Sequence, residues 1–168
     1  MRRAGEGVQR TFEDWYRQEH PRLLGLLTVV SGDRDVAKEA TAEAFTRALE
    51  LWDRVGAMEA PAAWTYRVGV NVVKRRLRRA RVEHVLTPRL VDVEPPRTLD
   101  PRLWRAVRDL PVRQRTALAL RYVCDLTQAD VARVMGIAPG TVSATLTASR
   151  RRLAEVLGPE AVEEVSLG

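Results

Sequence analysis

Residues 127–153 read TQADVARVMGIAPGTVSATLTASRRRL, and this stretch decides the fold. Thr127 with Asp130 three residues on is a capping-box variant, with Asp in place of Glu, so a short helix is expected to start at Gln128. Gly136 suits the left-handed conformation that ends a helix, and Pro139 suits the first position of the next, where an N–H would be orphaned anyway. Two helices across a turn of three or four residues result, the helix-turn-helix arrangement. Ala132 is small where the second helix must cross closely, and Val131, Met135, Ile137, Val142 and Leu146 form an apolar wedge between the two. Ser149, Arg150, Arg151 and Arg152 close the second helix, where arginines meet phosphates beside a groove that the helix N-terminus enters. A plain αα-hairpin shares part of this pattern, so the arginines and the rest of the chain must decide.

Upstream of this stretch, further helices are expected over residues 101–109 and 111–123, and the final helix over residues 139–157. Residues 87–98 form a linker: Pro88, Pro95 and Pro96 lie in it, Pro101 follows, and helical periodicity is lost. The reading is all-α, two small helical domains joined by a proline-rich linker, the second a helix-turn-helix domain. Residues 1–86 are the first domain, 99–157 the second, and 158–168 an acidic tail with Glu160, Glu163 and Glu164 that is expected to fray. Strand signals are nearly absent, with no Asn-Gly or Asp-Gly hairpin turn. In the first domain Thr11 is a candidate N-cap, the apolar run of residues 23–30 continues helically after Pro21, and Ser31-Gly32-Asp33 breaks it. A long amphipathic helix over residues 33–55 places Val36, Ala40, Ala44, Ala48 and Leu51 near one face, widened by Phe45, Leu49 and Trp52. Residues 56–61 are a loop.

The helix expected over residues 62–83 splits into two stripes. Tyr66, Val70, Val73, Leu77 and Ala80 form an apolar one; Arg67, Asn71, Lys74, Arg75 and Arg78 form a polar, cationic one. Residues 67–81 carry no acidic residue, so their mutual repulsion is poor economy unless an anion faces them, although a merely solvated face reads the same way. Over all 168 residues, 28 Lys and Arg against 22 Asp and Glu leave a charge of +6, nearly all of the positive charge being Arg. Arginine's planar fork suits phosphates and guanine edges, so a polyanionic partner is consistent with the balance. Cys124 is the single cysteine and His20 and His84 the only histidines, too few for a disulfide framework or a Cys/His zinc site. No glycine-rich phosphate loop and no Ser/His/Asp set is evident, so an enzyme is not expected, nor a cofactor, a metal or a small-molecule substrate. No membrane-length apolar run and no signal-peptide core occurs, which places the expected protein in the cytoplasm without direct membrane insertion.

Taken together, the two halves resemble in their order of parts the extracytoplasmic-function class of bacterial sigma factors. In the second half the likeness rests on Leu110-Pro111, Arg113, Leu120-Arg121-Tyr122, Asp125-Leu126-Thr127, Val131-Ala132, Gly136, Gly140-Thr141-Val142, Arg150 and Leu153. In the first it rests on Glu39, Glu43, Ala44 and Phe45, then Pro61, Trp64, Tyr66-Arg67-Val68, Asn71 and the arginine run. The resemblance implies a transcription initiation factor that binds core RNA polymerase and promoter DNA, with the chemistry left to the polymerase, and it allows for an anti-sigma factor as a further partner. Asp35, Glu39, Glu43 and Arg47 are implied to bind polymerase. Residues 56–63 are implied to capture an unstacked minus-10 base, with Trp64, Arg67, Asn71, Lys74, Arg75 and Arg78 holding adjoining DNA. Trp64 also reads as a core residue, like Trp15, Trp52 and Trp104. Minus-35 contacts fall to Pro139, Thr141, Ser143, Ala144, Thr147, Arg150 and Arg151.

The chain departs from the family pattern in three places. Ala42 stands where Gln is common and Arg75 where Asp is common, while residues 143–148 are small and uncharged where basic side chains usually follow Gly-Thr-Val. Such side chains still reach thymine methyls or let a helix approach closely, with shape as a second source of readout. A helix-turn-helix regulator that never joins polymerase accounts for the second half but not the first. A sigma-like interaction protein without promoter selection also fits the neutral helix.

Overall fold

A computed structural model describes residues 11–82 and 100–159. The regular structure of these residues is helical throughout: α1 Phe12–Ser31, α2 Arg34–Glu50, α3 Trp52–Val55, α4 Pro61–Val82, α5 Pro101–Arg108, α6 Val112–Tyr122, α7 Gln128–Met135 and α8 Pro139–Leu157. The linker over residues 87–98 and the tail from Glu160 onward lie outside the described residues.

Helix ends follow local chemistry. Thr11, Asp33, Asp100 and Thr127 each accept a backbone N–H from the first turn of the helix they precede. Gly32, at φ 70°, ends α1. Pro21 does not divide α1: it is exposed, so the carbonyl its ring leaves without a donor is open to water. The long second helix is divided, however. Leu51 leaves helical geometry at φ −113° and ψ 21°, and the short α3 starts on a new heading. Leu51, expected on the buried stripe, is exposed at this break, Leu49, still within α2, is exposed as well, and Trp52 is half-buried.

What α2 does bury is small: Ala37, Ala40, Thr41, Ala44 and Ala48, with Phe45 the exception. An alanine face lets α1 and α4 come close, and α2 packs on both. Between α1 and α4 the approach requires glycine, because a Cβ on Gly69 would stand 2.9 Å from Leu27 Cδ1 and 3.2 Å from Leu23 Cδ1. Phe12, Trp15, Tyr16, Phe45 and Trp52 form an aromatic group, with the Trp15 and Trp52 centroids 4.9 Å apart and the Trp15 and Phe45 centroids 5.3 Å apart.

The two halves pack against each other, α1 on α6 and α4 on α7, and their buried side chains form one continuous core. At this seam a Cβ on Gly25 would meet Val123 Cγ1 at 3.2 Å, and the Cys124 thiol points at the Arg22 carbonyl, 3.9 Å away. Tyr66 on α4 donates its hydroxyl to the buried Glu19 carboxylate on α1, which Arg22 also approaches at 3.7 Å. Burial, then the neighbouring Cys124 and Glu19, raise the Tyr66 hydroxyl far above its ordinary range, so it stays a donor. Burial likewise pushes the Cys124 thiol up to about 12. The end of α1 carries no basic residue in its last turn, yet arginines from the other half stand over it: a Cβ on Gly32 would lie 3.6 Å from Arg108 Nε and 3.8 Å from Arg115 Nη1. Those guanidiniums face the partial negative charge of the α1 carbonyls.

Candidate nucleic-acid interface

The cationic side of α4 begins just after a tight corner. Gly56 ends α3 beneath Trp52, and a Cβ there would come within 2.9 Å of the Trp52 backbone oxygen and ring. Irregular backbone ends at Ala60: Pro61, buried, opens α4 one residue earlier than expected, so residues 61–63 of the stretch implied to capture a base are helical. Trp64 is half-buried and packs against the core. Of the two stripes on α4, Tyr66, Val70 and Val73 are buried, Leu77 and Ala80 half-buried, and Arg67, Asn71, Arg75 and Arg78 exposed.

Lys74 differs from its neighbours. It is half-buried, and burial followed by the charge of Arg113 lowers its pKa, so this ammonium stands against a like charge from the other half of the molecule. The remaining cations fall into two groups. Arg67, Arg78, Arg79 and Arg81 make no ion pair among the described residues. Arg75 and Arg76 instead reach back to α2: Arg75 Nη2 lies 3.0 Å from Glu43 Oε1, and Arg76 Nη1 pairs with Glu39 Oε2. Arg47 donates to the same Glu43 oxygen at 2.6 Å. Of the four residues expected to bind polymerase, Glu43 and Arg47 thus join an ion-pair network with Arg75, an expected DNA residue, while Glu39 pairs separately with Arg76. Asp35, the fourth, pairs among the described residues only with Lys38 on its own helix, at 3.1 Å. Pairing between helices escapes sequence reading, because spacing along one helix says nothing of which charges a neighbouring helix brings near.

On the other half, Thr127 Oγ1 caps α7 by accepting the Asp130 N–H at 3.2 Å, and its hydroxyl donates to the Asp130 carboxylate at 2.7 Å. Asp130 therefore reaches the capping hydroxyl rather than the cap's backbone. Gly136 has φ 67°, and both its own N–H and that of Ile137 turn back to the Ala132 carbonyl. Val131, Val142 and Leu146 are fully buried in the wedge, while Met135 and Ile137 are half-buried. On α8, Pro139, Ser143, Ala144, Thr147 and Arg151 are exposed and Thr141 is half-buried.

Two residues of the α8 end behave differently from expectation. Ser149 is completely buried and donates to the Thr145 carbonyl, so it belongs to the core and not to a phosphate-facing tail. Arg150 is half-buried, its Nε and Nη2 donating to the Tyr122 hydroxyl at 3.1 and 2.7 Å. Its guanidinium is thereby held in one place beside the α6 end. Asp125, at φ 51°, makes the turn after α6 through the left-handed region, which the short polar Asp side chain tolerates.

Comparison with known proteins supplies the context for this arrangement. Residues 15–83 match the family described as Sigma-70 region 2, and residues 101–153 match Sigma-70 region 4. The ECF RNA polymerase sigma factor SigM of Mycobacterium tuberculosis is 33% identical over 158 residues, covering 90% of this chain and 80% of the relative. The RNA polymerase sigma-H factor of Pseudomonas aeruginosa is 26% identical over 178 residues, covering 95% and 92%. Among solved structures, the sigma factor RpoE of Bartonella quintana, in complex with the anti-sigma factor NepR, has the same fold. Its TM-score is 0.75 at 23% identity, over 87% of this chain and 96% of that one.

Proposed function

The chain belongs to the extracytoplasmic-function sigma factors of bacterial RNA polymerase, and from that premise we propose how its surfaces divide the work. As a sigma factor it directs core RNA polymerase to promoters. Residues 1–86 act as the polymerase-binding and minus-10 domain, residues 99–157 as the minus-35 domain, and residues 87–98 join them. The edge of α2 carrying Asp35, Glu39, Glu43 and Arg47 docks on core polymerase. Arg67, Asn71, Lys74, Arg75 and Arg78 hold DNA beside the corner at residues 56–60, where an unstacked minus-10 base is captured with Trp64 at its rim. Unstacking a base costs a few kcal/mol, which contacts to the displaced strand offset without ATP.

The observation that carries this reading is the row of exposed, unpaired arginines on α4: Arg67, Arg78, Arg79 and Arg81. Unpaired like charges on one helix are unfavourable until an anion arrives. For minus-35 DNA, Pro139, Thr141, Ser143, Ala144, Thr147 and Arg151 line the approach, and Arg150, steadied by Tyr122, meets a phosphate at its margin. The protein itself makes and breaks no bonds; it works by binding, in the cytoplasm with the polymerase. Among the described residues no helix is long and apolar enough to cross a membrane. An anti-sigma protein covering these same surfaces completes the partner set.

The test is reconstitution. The purified chain mixed with core polymerase is expected to comigrate with it and to support runoff transcription from promoters in a genomic pool. A chain that does neither overturns the reading.

A further inference from the structure

Glu39 and Glu43 belong to the α2 edge assigned to polymerase, yet they already have partners within the molecule, Arg76 and Arg75 of the DNA-binding helix. These contacts are made at the surface: the side chains of Arg75 and Arg76 are 47% and 39% exposed and those of Glu43 and Glu39 29% and 61%. Exposed pairs of this kind exchange partners readily, because water and salt compete with them throughout. Four other α4 arginines have no such partner among the described residues. The cationic face therefore has two parts, one without carboxylate partners among the described residues and one held by carboxylates.

We propose that Glu39 and Glu43 are shared acceptors. In the free protein they hold Arg75 and Arg76 back from DNA, and when α2 docks on a basic face of core polymerase they change partner and release both arginines to promoter phosphates. This rests on the proposed division of surfaces and adds a coupling between them. Arg76 becomes part of the DNA grip although it stands outside the exposed stripe. Where family members commonly carry Asp, Arg75 supplies the cation that makes the exchange with Glu43. By linkage the effect is reciprocal: DNA that captures the two arginines frees the carboxylates and strengthens docking on polymerase by the same factor.

The experiment measures binding of the full-length chain, without polymerase, to a labelled single-stranded oligonucleotide by fluorescence anisotropy between 50 and 200 mM salt. Glu39→Gln/Glu43→Gln is compared with Glu13→Gln/Glu50→Gln, which removes the same charge from exposed positions that make no ion pair with α4 among the described residues. Two released arginines should steepen the salt slope of the first variant beyond that of the second by about 1.4, roughly a sevenfold greater loss of affinity across that range. Adding Arg75→Gln/Arg76→Gln should abolish the difference. Equal slopes for the two glutamine pairs, or a gain that survives loss of both arginines, would overturn the proposal. Arg67→Gln separates this from failure of the underlying reading: if that change leaves oligonucleotide binding untouched, α4 is not the DNA grip at all. Circular dichroism and thermal melting of every variant establish that each is folded as the parent is.

Discussion

The two helices assigned to DNA, α4 and α8, present opposite chemistries. On α4 the exposed side chains are mostly long and cationic, with carboxylates of α2 close by; on the first half of α8 Ser143, Ala144 and Thr147 are exposed, small and uncharged, and the exposed arginines, Arg151 and Arg152, come only near its end. A grip of the first kind depends on charge and reads little sequence, since phosphates are the same everywhere. A grip of the second kind depends on where the backbone is held, because a short side chain reaches a base only if its helix lies close to the groove. For α8 that placement is set by buried apolar packing and by the turn at Gly136. Changes to its packing should therefore matter more than changes to its surface, and α4 should behave the other way round.

The sharpest way to break this contrast is Leu146→Ala. Leu146 is 1% exposed in the wedge between α7 and α8, and such truncations cost about 2–5 kcal/mol in a core. Urea unfolding should show the loss, and footprinting of the holoenzyme should lose upstream protection. Full stability would mean that α8 is placed by something else. Gly136→Val comes next, expected to cost about 1–3 kcal/mol, because a β-branched residue is strained at φ 67° whatever the space around it. An unchanged melting temperature would contradict the turn as the determinant of α8.

A third test addresses the seam that ties the two helices together. The Cys124 thiol, raised from 9.0 to about 12 by burial, favours the neutral form in the folded state. Its contribution is thus fully present below pH 9 and falls by about 1.4 kcal/mol per pH unit above that, until the folded value is reached. Melting temperatures between pH 8 and 10.5 should fall more steeply for the parent than for Cys124→Ala; parallel curves would mean the halves do not enclose the thiol in solution. The smallest effect sharpens the contrast itself. Arg67→Ala should lower the salt slope for single-stranded DNA by about 0.7, whereas Thr147→Ala should leave the salt slope of duplex binding unchanged and alter only which sequences are preferred. A slope change on duplex DNA for Thr147→Ala would remove the distinction between the two grips.

How much of this was legible in the sequence follows from how local each determinant is. Thr127, Gly136 and Pro139 act on their own helix ends, so the helix-turn-helix could be read residue by residue. The apolar stripe of α4 was legible for the same reason, since a single helical period relates Tyr66, Val70 and Val73. Periodicity misled at Leu51, because a stripe extrapolated through the break there no longer follows one helix; Leu49, still within α2, is exposed too and lies off the alanine face that packs. Ser149 looked like one member of a polar tail, yet its hydroxyl is satisfied by its own helix at Thr145 and it can be buried without cost. The seam was not legible at all. Gly25, Arg22, Val123 and Cys124 are ordinary residues in their own segments, and only the packing of α1 on α6 brings them together. The candidate DNA and polymerase residues were found by likeness to a family, and their division into free and carboxylate-held arginines required the crossing of α2 and α4.

The arginines that stand over the end of α1 carry a consequence for how the protein is made. Synthesis runs from the amino terminus, so α1 is complete long before Arg108 and Arg115 have left the ribosome, and its last turn has no cation of its own. The first four helices therefore emerge with one helix end uncompensated and with Gly25 and Tyr66 lacking the cover that Val123 and Cys124 later bring. The nascent chain reaches its full stability only when the second half arrives. A chain stopped at residue 100 should accordingly melt below the full-length protein and expose Glu19 and Tyr66 to faster hydrogen exchange around them, and equal melting would show that the first half matures alone.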